Sequence, residues 1–130
     1  MKQNYSSEKY QILSEINSIS FERKLVNETA FDGIVKIYSL KTNFENINQK
    51  LDGHFFGDFF YSTEKGVFLR KFDNKDSWPT STLIYLDLIN LTLTEINRNN
   101  SSWNIWEGKK LENGKYSIEI SPKENIEFQT

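Results

Sequence analysis

The chain contains no cysteine, one histidine, one alanine, two prolines and six glycines in 130 residues. Without cysteine there is no disulfide scaffold, no thiolate nucleophile and no Cys-ligated metal, and a reducing compartment is the expected home. A single histidine leaves no set of imidazoles for a zinc or copper site. No stretch approaches the ~20 apolar residues of a membrane span. The first eighteen residues, "MKQNYSSEKYQILSEINS", hold no apolar run of signal-peptide length, so a cytoplasmic protein is expected. Net charge is −2 and the charges are interleaved, a balance that attracts neither nucleic acid nor anionic lipid. Cofactors and metals find no motif here. "DNKDSW" (73–78) lacks the glycine and closing glutamate of a calcium loop, and no phosphate-loop spacing occurs.

What the chain does have is aliphatic and aromatic bulk. Leu, Ile, Val and Phe make up 37 of the 130 residues, enough for one folded domain over 1–130. Asparagine occurs 14 times, as in proteins of AT-rich bacterial or phage genomes. Ile12, Ile16 and Ile19, with Leu13 beside them, fall at helical spacing, so an amphipathic helix capped by Ser6 or Ser7 is expected over 8–21. "GIVKIYSL" (33–40) predicts a strand and "NFENINQKLDG" (43–53) a short helix ending at Gly53.

From Gly53 onward the pattern is one of hairpins. "LIYLDLINLTLTEI" (83–96) alternates on both sides of Ile89-Asn90, which sets Leu86 opposite Leu93 and Tyr85 opposite Thr94. Asn113-Gly114 in "EGKKLENGKYSIEI" is a strong turn signal, with Tyr116, Ile118 and Ile120 directed inward. "SWPTS" (77–81) and "NRNNSS" (97–102) are loops. The sum is an α+β domain: an antiparallel meander of about six to seven strands with an N-terminal helix. A partly closed β-barrel is the alternative.

The densest aromatic stretch is "GHFFGDFFYS" (53–62). If Glu64-Lys65-Gly66 is the following loop, closed by a glycine bulge, Thr63 pairs with Val67. Phe55, Phe59 and Tyr61 then share a face with Val67 and Leu69, while Phe56, Asp58 and Phe60 share the other with Phe68, Arg70 and Phe72. A four-residue loop moves Phe68 and Phe72 to the first face. The second face is either covered by the N-terminal helix or kept for a partner, since aromatics with arginine form the energetic centre of many interfaces. Trp103 and Trp106 in "SSWNIWEGKK" are either interface anchors or core plugs. The candidate partner-binding residues are therefore Phe56, Asp58, Phe60, Arg70, Phe72, Trp103 and Trp106.

No catalytic residue is assigned. His54 and Asp58 would lie ~13 Å apart along a strand, too far for proton transfer. Two segments, 44–64 and 73–107, each carry an excess of three acids, which together would complement a basic partner.

In these traits — small, Cys-free, mildly acidic, motif-poor, with "GHFFGDFF" and "WNIWEG" as interface material — the chain resembles bacterial immunity proteins of the polymorphic-toxin or contact-dependent-inhibition type. That resemblance implies a non-catalytic protein that binds and blocks one cognate toxin domain, often a nuclease. A small-molecule-binding β-barrel, with the aromatics of 55–72 lining a cavity, is the second expectation.

Overall fold

A computed structural model of the chain describes residues 9–29 and 33–130. Seven strands form one antiparallel meander: β1 (Gln11–Ile16), β2 (Ile19–Thr29), β3 (Val35–Thr42), β4 (Phe55–Ser62), β5 (Gly66–Phe72), β6 (Ser81–Asp87) and β7 (Thr92–Asn99). The single helix among the described residues, α1 (Glu45–Leu51), lies between β3 and β4. The last three strands, β8 (Glu107–Lys110), β9 (Lys115–Ser121) and β10 (Glu124–Gln129), leave the meander and form their own sheet.

The helix expected over 8–21 is instead the β1–β2 hairpin, and its proposed caps lie outside the described residues. Asn17 and Ser18 form the two-residue turn, both at positive φ (49° and 72°), so Ile16 and Ile19 sit directly opposite each other. A two-residue hairpin turn places residues i and i+3 side by side, as a helix does. The isoleucine spacing therefore fits both. What separates them is Ile12, on the apolar stripe of the supposed helix but 80% exposed here. The β-branched isoleucines and the turn-forming Asn-Ser pair favour the strands.

The expected short helix is present as α1. Its face bears Ile47 and Leu51, both buried, and Asn48 ties it to β3: its Oδ1 accepts from Thr42 N–H (2.6 Å) and its Nδ2 donates to the Thr42 carbonyl (3.1 Å).

The central strands β5 and β6 of the seven-stranded sheet are covered on both faces. On one, Phe21, Leu40, Phe56, Val67, Leu69, Ile84 and Leu86 join Ile47 and Leu51 of α1 in a single cluster. Leu13 and Ile16 from the first strand and Leu93 from the last join that cluster too, so the sheet curls. It does not close: β1 and β7 are its two ends, and no barrel is formed. On the other face, Phe68, Leu83 and Tyr85 pack against Trp106, Tyr116, Ile118 and Ile120 of the small sheet and its lead-in. Phe68 is the hub, with the rings of Tyr85, Tyr116, Phe128 and Tyr61 at 4.7, 5.5, 5.9 and 6.2 Å. Such ring pairs add about 0.5–1.5 kcal/mol each beyond the area they bury.

The aromatic hairpin takes the longer-loop register. Ser62 pairs with Val67 and Phe60 with Leu69, because the Thr63 side chain closes the turn, its Oγ1 accepting from Lys65 N–H (3.2 Å) and Gly66 N–H (3.0 Å). Phe56 and Phe60 therefore share a face with Val67 and Leu69, whereas Phe59 and Tyr61 share one with Phe68 and Arg70. The expected glycine bulge does not form. Gly66 is required for closeness instead: a Cβ there would strike the Leu86 carbonyl and the Tyr85 ring. The β6–β7 register is as expected, with Leu86 opposite Leu93 and Tyr85 opposite Thr94. The Asp87 carboxylate fixes its turn by accepting from Ile89 and Asn90 N–H, both at 2.9 Å. Those same bonds, that of Asn90 first, lower its pKa.

Candidate protein-binding loop

The connection from β7 to β8, residues 100–106, carries apolar side chains outward between two packed sheets. Beneath it lies Arg70 on β5, only 3% exposed. Its Nε donates to Ser81 Oγ (2.7 Å), Nη1 to the Trp103 carbonyl (3.1 Å), and Nη2 to the carbonyls of Ser101 (2.8 Å) and Pro79 (3.3 Å). The guanidinium also lies over the Trp106 ring, 4.3 Å from its centroid, with the Phe72 ring at 5.1 Å. All four acceptors are uncharged. Burial lowers its pKa to about 10, which leaves it cationic at neutral pH.

The loop is held from its other side as well. Ser101 Oγ donates to the Ile120 carbonyl of β9 (2.6 Å) and accepts from Trp103 N–H (3.2 Å), and Asn99 Oδ1 accepts from Ser101 N–H (3.1 Å). Polar groups thus fix the backbone while the side chains of Trp103 and Ile105 stay 39% and 64% exposed. An open cleft of about 460 Å³ runs beside Trp103, lined by residues 99–103, Ser121, Pro122 and Glu124.

Next to this loop the small sheet places Glu107 directly opposite Glu119. Like charges in that position repel. The ion pairs among the described residues are Arg23–Asp58, Glu28–Lys36, Lys71–Glu95, Asp73–Arg98 and Lys115–Glu127; none involves Glu107, Glu119 or Glu124.

The seven residues singled out from the sequence fall into two groups. Arg70, Phe72, Trp103 and Trp106 are brought together at this loop, with Trp103 outside and the other three buried. Phe56 and Phe60 lie across the sheet. Phe56 is wholly buried, and Phe60 is partly so, edge-on to Phe21 at 5.2 Å. Asp58 is exposed but already paired with Arg23 at 3.2 Å. Four of the acids in the two acidic segments already have partners. Asp58, Asp73 and Glu95 are taken up by cross-strand cations, and Asp87 by its own turn. The sequence pattern includes Ile105 and Glu107 only within the interface stretch "WNIWEG" and the acidic segment 73–107, and gives no sign of Glu119 and Glu124. Ile105, apolar between two tryptophans in a short polar connection, was open to detection; the Glu107–Glu119 pairing needed the strand register.

His54 stands half-buried before β4. Burial, then the nearby Lys71 ammonium, hold its pKa below 6.5. Among the described residues no three His, Cys, Asp or Glu side chains are grouped to hold a metal ion, and no helix is long and apolar enough to cross a membrane. Comparison with protein-family models, curated proteins and solved structures found no match to this chain.

Proposed function

We propose that this is a non-catalytic binding protein that grips a protein partner with the Trp103–Ile105 loop, and that the partner is a cognate bacterial toxin domain which it neutralises in the cytoplasm. The observation that carries the reading is an exposed tryptophan on a backbone already held in place from below. Tryptophan is the residue type richest in interface hot spots, each worth ~2 kcal/mol or more. A loop ordered before binding avoids much of the ordering cost, about 0.5–1.5 kcal/mol per immobilised side chain. Glu107, Glu119 and Glu124 beside it favour a basic partner and would steer its approach. The barrel reading has less support, because the sheet is open and the aromatics of 55–72 pack against protein on both faces.

The test is survival of a sensitive host expressing the toxin domain encoded beside this gene. Co-expression of the native protein should rescue growth, and Trp103→Ala should lose rescue at low dose. No rescue by the native protein, with a small hydrophobic ligand co-purifying, would replace this reading with ligand binding.

A further inference from the structure

We infer that Arg70, which is too buried to touch a partner, is the positioning residue of the Trp103 loop. This rests on the loop being the binding site. A cation in an apolar sheet interface is seldom needed for packing; hydrophobic residues of similar volume are often neutral or stabilising there. Among the described residues no carboxylate pairs with Arg70. Three of its four hydrogen bonds end on backbone carbonyls of connections, and two of those, Ser101 and Trp103, belong to the segment that presents the exposed tryptophan. The planar guanidinium reaches carbonyls of two connections at once while stacked on Trp106, a span that a lysine ammonium cannot reproduce. Its chemistry is thus directed at where Trp103 sits.

The experiment compares Arg70→Met, Arg70→Lys and Trp103→Ala in two measurements: backbone amide order of residues 101–105 by NMR relaxation, and dissociation from the toxin domain encoded beside the gene. Arg70→Met should lower the loop order parameters from the rigid range, ~0.85, to below ~0.6, with amide protection in β5 and β6 retained. It should also speed dissociation by about tenfold, and Arg70→Lys should fall between it and the native protein. If Arg70→Met does not fold, Ser81→Ala, which removes one anchor of the guanidinium, should loosen the same amides by a smaller amount. A loop as ordered in Arg70→Met as in the native protein overturns the inference, while Trp103→Ala still losing the partner leaves the binding site standing. Undiminished binding by Trp103→Ala overturns the site and the positioning role together.

Discussion

The docking of the small sheet on the large one turns on a glycine. Gly108 of β8 lies against the ring of Tyr61 on β4; a Cβ there would strike the ring, 2.6 and 2.7 Å from its two Cδ atoms. Tyr61 has little room to yield, since Phe68 and Tyr116 stand at 6.2 and 6.1 Å from its centroid. Gly108→Ala should therefore cost about 1–3 kcal/mol by overpacking. Its φ is not in the left-handed region, so alanine should also restrict the unfolded chain, a gain of about 0.4–1 kcal/mol. The expected net effect is a loss of roughly 1–2 kcal/mol. In a Tyr61→Ala background the obstruction is gone and only the gain remains, so the sign should reverse. Urea unfolding of the four proteins, read as a double-mutant cycle, should give a coupling of about 1–3 kcal/mol between the two sites. If Gly108→Ala is neutral or stabilising in the native background, or costs the same in both, Tyr61 does not lie over Gly108 and the sheets meet elsewhere.

At the β8–β9 turn, Asn113 and Gly114 both have positive φ (57° and 76°), so Gly114→Val should lower the melting temperature through about 2 kcal/mol of backbone strain; an unchanged midpoint would refute the turn. Asp73 accepts from both Arg98 nitrogens at 2.7 and 2.6 Å, and those bonds hold its pKa below 3.8. The stability this pair contributes should be present above the ordinary carboxylate pKa and be lost as pH falls through the lowered value. Carboxyl NMR should show Asp73 returning to the ordinary range in Arg98→Ala, and an unmoved titration would mean the pair does not form in solution. His54 should titrate below 6.5 by imidazole NMR. Because the unfolded chain then binds the proton more readily, stability should rise with pH across that window and fall on acidification below 6.5; Lys71→Met should move the midpoint upward. His54→Ala should leave toxin neutralisation within about threefold, whereas a loss of ~10²-fold would point to proton-transfer chemistry.

Hairpins with a distinct turn were legible because their partners are local. The β6–β7 pairing followed from alternation about Ile89-Asn90, and the inward set Tyr116, Ile118 and Ile120 is buried as the pattern required. The Thr63–Gly66 turn departs by one residue from the expected one because Gly66 serves to admit Leu86 and Tyr85 and not to supply a left-handed bulge. The N-terminal hairpin failed because Ile16 and Ile19 satisfy two geometries at once. Alternation also cannot say whether the hairpin after residue 100 extends the sheet edge or folds back over its face. Here it folds back, and that step turns one side of the aromatic strand from a surface into an interior.

The same step explains why the site was half-visible. Arginine with aromatics marks the centre of an interface, and it equally marks the support beneath one, because both use a guanidinium stacked on a ring with its donors satisfied. Arg70 and Trp106 are the support, and Trp103, three residues before Trp106, is the part left outside. Which tryptophan goes in is decided by the path of the connection. Trp106 leads directly into β8 and must follow the inward face of the small sheet, in line with Gly108. Trp103 sits where Arg70 holds the carbonyl, so its backbone is turned toward the core and its side chain is only partly covered. Residue type named the neighbourhood, and the hydrogen bonds of one buried cation divided it into anchor and support.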